Sequence, residues 1–206
     1  MVCGIPCRSW ALWLAQAFDL PFTTYAVNGA VVADVRREQL PSVRADYDLG
    51  CLYAGVNDVR LPDWDPAAYE RDLGAVARGL AERCERLLML TIPLDLGRPP
   101  AGVKVGDADA AIRRVAAATG AAVCELIDLT GWTQLLPDTV HPTALGQIEM
   151  ADRAAAALGG VAPGRRPSEL AGGIVLGPRG RASYARTHAR MLLRDVVRRR
   201  LEGVRA

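Results

Sequence analysis

The chain has 206 residues, half of them hydrophobic, and its 25 basic and 23 acidic side chains leave a formal charge of only +2. This composition is typical of a globular protein with one main domain and one sizeable core. The sequence contains no run of about 18 or more apolar residues, which argues against a membrane-spanning helix. Its five cysteines are scattered without C-x-x-C pairing, so we interpret them as reduced thiols.

The first apolar stretch has two interpretations. Residues 8–18 predict a buried helix that ends before Pro21, because proline cannot continue a helix. The same stretch imitates a short secretory signal, with Arg8 ahead of the apolar run and small residues at Ala15 and Ala17. Its short apolar region and two tryptophans favour the helix. We therefore expect a cytoplasmic protein, with peripheral membrane association and secretion as the alternatives.

Short apolar runs then alternate with longer helical patterns along the chain. The predicted strands are residues 22–28, 49–55, 87–92 and 121–127. The predicted helices are residues 31–40, 65–84, 107–119 and 143–158. This alternation indicates right-handed crossovers and a parallel sheet covered on both faces. The predicted fold class is therefore α/β.

Asp138 stands three residues before His141, one of only two histidines, and just ahead of a predicted helix. An aspartate at this spacing can hold one ring nitrogen so that the other faces a nucleophile as general base. The pentapeptide by itself is equally compatible with an aspartate that caps the turn and an ordinary loop histidine. Other residues have to decide between these interpretations.

Two further residues follow predicted strands at the sheet edge where ligands bind in such folds. Gly29 comes after the first strand and can present its backbone N–H, while Asn57 comes after the second and carries an amide donor. Taken singly, Gly29 fits a tight turn and Asn57-Asp58 fits a plain loop. Together with the histidine and aspartate, they are the parts of an acyl-transfer site.

Three blocks resemble a known family, the SGNH or GDSL-type hydrolases, over most of residues 1–160. Residues 28–35 are similar to its glycine block, residues 55–58 to its G-x-N-D block, and residues 138–142 to its D-x-x-H block. The resemblance implies a flavodoxin-like three-layer sandwich and esterase, lipase, thioesterase or deacetylase chemistry on small ester or acyl substrates. It implies no metal and no other cofactor.

Carried over residue by residue, the resemblance makes His141 the general base and Asp138 its orienting acid. It makes Gly29 and Asn57 the oxyanion-hole donors. The family's nucleophile is the serine of a Gly-Asp-Ser motif at the end of the first strand, and that motif does not occur here. We therefore expect Met1 to be an internal methionine, with the serine upstream of it. Ser9 and Cys3 are the nearest alternatives within the chain, and we assign the role to neither.

The first strand is accordingly expected to be missing. In a flavodoxin-like strand order it would lie between the strands predicted at residues 22–28 and 49–55. Its absence would leave two ladders of backbone hydrogen bonds unmade, which would destabilise the chain or recruit another strand.

The C-terminal part has a different composition. We divide the chain into a hydrolase-like domain (residues 1–160), a Pro/Gly-rich linker (161–180) and a basic amphipathic helix (181–206). From Arg165 onward eleven arginines stand against three acids, a formal +8, which leaves −6 on residues 1–164. The arginines of one helical row are Arg186, Arg190, Arg194 and Arg198. The apolar positions beside them are Ala189, Leu192, Leu193, Val196 and Val197.

This helix also has two interpretations. Its apolar face packs on the domain and leaves the arginines in solvent, or the helix binds an anionic membrane surface. Nucleic acid is not expected as a partner, because few aromatic side chains interleave with the arginines.

Two function classes follow from these observations. The first is a metal-independent acyl ester hydrolase that uses a Ser-His-Asp mechanism. The second is a non-catalytic SGNH-like binding protein that has lost its nucleophile. The joint presence of His141, Asp138, Gly29 and Asn57 favours the hydrolase, because a binding protein gains nothing specific from a base held by an acid. A nucleotide-binding protein ranks third, since no Gly-rich phosphate loop follows any strand.

Overall fold

Parallel strands from successive βα units form the centre of the protein, which is described by a computed structural model. The structure describes residues 5–97, 100–160, 163–173 and 177–203, without the side chains of residues 195 and 198–203. The strands of the described part are β1 (Tyr47–Leu52), β2 (Cys84–Leu90) and β3 (Ala122–Cys124). They pair in the order β1-β2-β3, all parallel.

Helices connect these strands, and their ends follow local sequence signals. The α-helices are α1 (Trp10–Ala17), α2 (Val32–Asp34), α3 (Pro66–Ala81), α4 (Val103–Thr119), α5 (Ala144–Ala157), α6 (Pro167–Leu170) and α7 (Pro178–Gly203). Helix α2 continues through a π-helical turn, Val35–Gln39, and a 3-10 turn, Leu40–Ser42. Asp65 caps α3 as predicted, since its Oδ1 accepts hydrogen bonds from the N–H groups of Ala67 and Ala68.

Alternating side chains of β2 separate two hydrophobic cores. Leu88 and Leu90 pack with α1 and α5, whereas Leu87 and Met89 pack with α3 and α4. The sheet is therefore the middle layer of a helix–sheet–helix sandwich. The predicted α/β fold class and its parallel sheet are confirmed.

The prediction of a strand at residues 22–28 is wrong. This segment forms no strand, and β1 is the outer strand of the described sheet on that side. Residues 20–26 and β1 line a common cavity of about 340 Å³, with the Tyr25 and Tyr47 hydroxyl oxygens 2.7 Å apart. An extended segment becomes a strand only when a neighbour pairs its backbone groups.

The C-terminal segments lie against the body in different ways. Helix α6 packs on α1 and α5, and the Ser168 N–H donates to Asp152 Oδ1 at 3.1 Å. Helix α7 buries Tyr184 in the core shared with α1 and α5. However, the large apolar side chains from Leu192 to Val197 are exposed. The interpretation in which this apolar face packs on the domain is therefore wrong. Among the described helices, none combines the length and the apolarity that crossing a bilayer requires.

Candidate active site

The predicted histidine–aspartate pair forms in the loop before α5. His141 Nδ1 lies 2.8 Å from Asp138 Oδ2, and the imidazole is 66% exposed. The other carboxylate oxygen, Oδ1, accepts the N–H groups of Val140 at 2.8 Å and His141 at 3.0 Å. Partial burial opposes ionisation of Asp138, but the hydrogen bonds from His141 and Val140 outweigh it and hold its pKa below the ordinary value of 3.8. The carboxylate therefore stays charged beside the ring.

Backbone contacts fix the loop that carries this pair. Thr139, between the two residues, has a positive φ of 54°, an uncommon conformation for a non-glycine residue. It is buried, and its carbonyl oxygen accepts the Gly97 N–H at 3.4 Å. The Leu136 N–H donates to the His141 carbonyl oxygen at 2.8 Å. The surrounding structure thus holds a strained turn in one conformation, as is common at functional sites.

The start of α5 provides a rigid support behind this loop. Thr143 caps the helix by accepting the Gly146 N–H, and its own N–H donates to the Gln134 carbonyl oxygen at 2.8 Å. Gly146 is required there, because a Cβ at this position would lie 2.0 Å from that carbonyl oxygen. Close packing of the helix on the loop therefore depends on glycine.

The loop after β1 and the turn before α2 are joined by two hydrogen bonds. Asn57 Nδ2 donates to the Ala30 carbonyl oxygen at 2.9 Å, and Asp58 Oδ1 accepts the Val32 N–H at 2.9 Å. Asp58 is buried, and burial raises its pKa despite the Val32 hydrogen bond. The segments that carry Gly29 and Asn57, the two predicted oxyanion donors, are thus brought together; we call them the donor blocks. The sequence placed Asn57 there but gave no sign that Asp58 forms the second contact.

Gly29 lies in the same turn and is exposed, with a positive φ of 81°. A Cβ on Gly29 would meet no atom within 4 Å, so backbone conformation rather than crowding calls for glycine. The open space beside it leaves room for a ligand.

A shared hydrophobic core connects the donor blocks with the histidine loop. Val140, adjacent to His141, and Val56, adjacent to Asn57, both pack against the buried cluster that contains Val32, which lies next to the turn of Gly29. The structure therefore places all four predicted residues in loops around the carboxyl ends of the strands. Asp138 and His141 contact each other directly, and Asn57 is joined to Ala30, the neighbour of Gly29 in sequence.

Asp109 is a buried carboxylate at this edge that the sequence analysis missed. It lies on α4, is 1% exposed, and its Oδ1 accepts the Ile92 N–H at 2.7 Å just after β2. Burial raises its pKa to about 6, while the Ile92 hydrogen bond and Arg113 act in the opposite direction. A polar residue on the buried face of a helix, between Val105 and Ile112, is the signal that could have identified it.

Neither alternative nucleophile gains support from the described geometry. Ser9 caps α1, its Oγ accepting the Leu12 N–H at 3.2 Å, and no hydrogen bond joins it to His141. Cys3 lies outside the described residues. The cysteines of the described part, Cys7, Cys51, Cys84 and Cys124, are free thiols.

Comparison with known proteins agrees with this fold. Residues 2–147 match the GDSL-like Lipase/Acylhydrolase family, and the chain belongs to that family. Among curated proteins, none matches the chain.

Solved structures of three other proteins are similar in fold. LAE5, an α/β hydrolase from the metagenome of Lake Arreo, Spain, is 20% identical, with 73% of this chain and 81% of LAE5 covered at a TM-score of 0.62. Axe2, an acetylxylan esterase from Geobacillus stearothermophilus, is 15% identical, with coverages of 77% and 84% and a TM-score of 0.63. TesA is 17% identical, with coverages of 73% and 87% and a TM-score of 0.64. The fold is thus that of the GDSL-type hydrolases.

Proposed function

We propose that the protein is a metal-independent acyl ester hydrolase that uses a Ser-His-Asp mechanism. The observation that carries this proposal is the 2.8 Å contact between His141 Nδ1 and Asp138 Oδ2, with the imidazole exposed and its Nε2 bonded to no described residue. A ring held in this way presents Nε2 to a nucleophile. The family supports the general hydrolase function.

The residues act in two half-reactions. His141 Nε2 takes the serine proton as the serine oxygen bonds to the ester carbonyl carbon, and Asp138 stabilises the imidazolium that forms. The tetrahedral intermediate then loses the alcohol, which receives the proton from His141. A water molecule attacks the acyl-enzyme with His141 again as base. This releases the carboxylic acid and restores the serine.

Gly29 N–H and the Asn57 amide are proposed to bind the oxyanion of each intermediate. Asn57 Nδ2 has two hydrogens, one of which is donated to the Ala30 carbonyl oxygen. That bond orients the amide and leaves the second hydrogen for substrate. Gly29 supports this assignment by its positive φ and its open surroundings.

We place the nucleophilic serine upstream of Met1, on a strand beside β1. No strand of the described residues pairs with the outer edge of β1, and this edge and the cavity of about 340 Å³ that β1 lines together with residues 20–26 support this position. A strand there would pair with β1 on one side and with residues 22–28 on the other. It would end beside the loops of Asn57 and Gly29, because parallel strands end at the same edge of a sheet.

The alternative is a non-catalytic binding protein of the same fold. The missing Gly-Asp-Ser motif favours it, and the ordered Asp138–His141 pair favours the enzyme. The cytoplasmic location expected from the sequence stays a prediction.

Fluorophosphonate labelling distinguishes these proposals. The chain of residues 1–206 and a chain extended by the residues encoded upstream of Met1 are labelled in parallel, each also as His141→Ala, and adducts are mapped by peptide mass. Labelling of the extended chain at an upstream serine, lost in His141→Ala, is the expected result. An adduct at Ser9 would overturn the position of the nucleophile, and two folded chains without any adduct would favour the binding protein.

A further inference from the structure

The C-terminal helix α7 offers a surface that the body of the protein does not cover. Leu192, Leu193, Val196 and Val197 are 44%, 65%, 46% and 49% exposed. Four neighbouring large aliphatic side chains left this open on one helix mark an interaction surface, whereas single exposed apolar residues are ordinary. We call these four residues the apolar strip of α7.

A different part of α7 contacts the body. Tyr184 is buried, and His188 and Met191 are half-buried, at spacings of four and three residues that place them on one face. The His188 ring meets the Trp132 ring edge to face, with 6.4 Å between centroids. The helix is therefore held by this face, and the apolar strip lies further around its circumference and toward its C-terminal end.

Arginines flank the apolar strip. Arg186, Arg190 and Arg194 are exposed and form one row at intervals of four residues. Leu193 and Val197 lie three residues after Arg190 and Arg194, so that apolar and basic side chains adjoin on the helix surface. No carboxylate of the described residues forms an ion pair with these three arginines. Arg198 continues the row in sequence, but its side chain lies outside the described part.

The rest of the chain has the opposite charge. Residues 1–164 carry a formal −6 and the segment from Arg165 onward carries +8. A negatively charged surface would attract α7 and repel the body, which orients the molecule with α7 toward that surface.

We infer that α7 docks on the surface of an anionic lipid bilayer, with the apolar strip among the acyl chains and the arginines at the phosphate headgroups. A helix with adjoining apolar and basic sides lies in the plane of such an interface, and arginine stems can bury while their charges stay in water. A second copy of α7 fits less well, because two arginine rows would repel each other. Nucleic acid would leave the apolar strip without a partner. The inference is independent of the proposed hydrolase activity.

Vesicle flotation with the full chain tests this inference. The vesicles contain either phosphatidylcholine alone or phosphatidylcholine with phosphatidylglycerol, at low and high salt. We expect binding only to vesicles with phosphatidylglycerol, weakened by salt, because each basic residue near an anionic surface contributes roughly fivefold to binding. Arg190→Glu/Arg194→Glu and, separately, Leu193→Asp should each weaken binding by at least about tenfold.

Matched substitutions on the body control for charge and for exposed apolar area. Arg44→Glu/Arg60→Glu changes the net charge equally at two exposed arginines, and Val103→Asp alters an apolar side chain that is 86% exposed. Both should bind like the unaltered chain. Circular dichroism should be the same for all variants, since every substituted side chain is exposed.

Three results would overturn the inference. One is absence of binding to phosphatidylglycerol vesicles at low salt by the folded chain. Another is an equal loss of vesicle binding in the body controls and in the α7 variants. The third is an effect of the α7 variants confined to duplex DNA binding or to self-association measured by light scattering, which would assign the surface to that partner.

Discussion

The side-chain amide of Asn57 donates a hydrogen bond to the Ala30 carbonyl oxygen, with 2.9 Å between the two atoms. This contact joins two loops that are 27 residues apart in sequence, and the Asp58–Val32 hydrogen bond reinforces it. The loops that carry the proposed oxyanion donors are therefore fixed relative to each other before any substrate binds. Such preorganisation is the main source of electrostatic catalysis in acyl transfer.

The first prediction concerns this amide. In the chain that carries the nucleophile, Asn57→Ala should lower kcat by about 10²–10³, because one oxyanion donor is removed. KM should change little, since that hydrogen bond matters mainly in the transition state. Steady-state kinetics on a small acyl ester measures both constants. The lost Ala30 contact should cost only about 1 kcal/mol of unfolding free energy, so a variant that fails to fold would contradict this account.

The second prediction concerns the tautomer of His141. In the unaltered chain above the pH at which the ring is protonated, the proton should sit on Nδ1, where the Asp138 carboxylate accepts it. Asp138→Asn keeps an oxygen for the Val140 and His141 N–H groups but presents an N–H₂ to the ring. The proton should therefore move to Nε2. Nitrogen-15 spectra of the ring report this change without any need for activity.

The second histidine serves as an internal control for that measurement. His188 lies on α7 against Trp132, so its ring signals should be unaffected by Asp138→Asn. Unchanged His141 signals would show that Asp138 does not orient the ring. In the chain that carries the nucleophile, the same variant should lose about three to four orders of magnitude in kcat, because the base then presents the wrong nitrogen.

The third prediction concerns the pH dependence of stability. Burial raises the pKa of Asp109 from its ordinary 3.8 to about 6, so between these values the folded state binds more protons than the unfolded state. The contribution of Asp109 to the free energy of unfolding must then fall as pH rises through this window. Asp109→Asn removes the titrating group and keeps an oxygen for the Ile92 N–H. It should be more stable than the unaltered chain at pH 7.

Urea denaturation at pH 4.5, 5.5 and 7 measures this effect. The difference in unfolding free energy between Asp109→Asn and the unaltered chain should grow with pH. Asp107→Asn, on the exposed side of the same helix, is measured in parallel as the control for loss of one carboxylate. If the difference in unfolding free energy for Asp109→Asn did not change with pH, burial would not raise the pKa of Asp109.

The fourth prediction concerns Gly146. A Cβ there would lie 2.0 Å from the Gln134 carbonyl oxygen, a backbone atom that cannot move without the loop. Gly146→Ala should therefore destabilise the protein by about 1–3 kcal/mol, although alanine favours helices. Gly106→Ala in α4, where an added Cβ meets nothing within 4 Å, should instead stabilise it by about 0.5–1 kcal/mol. Thermal unfolding distinguishes the two; stabilisation by both would show that α5 does not need this close approach.

Local signals in the sequence determined much of this protein. Asp65 and Pro66 predicted the start of α3, and the three-residue spacing from Asp138 to His141 predicted their contact. Both predictions are confirmed because each depends only on residues within one turn of the chain. Alternation of apolar runs and helical patterns likewise determined the α/β class, because each element carries its own periodicity.

The tertiary structure decided whatever depends on a distant partner. Residues 22–28 have the composition of a strand but remain unpaired beside a cavity, since a strand needs hydrogen bonds from a neighbour. Tertiary packing also buries the carboxylate of Asp109 against the Ile92 N–H. The same packing leaves the apolar strip of α7 exposed. Periodicity identifies an apolar face, but only packing decides whether another element covers it.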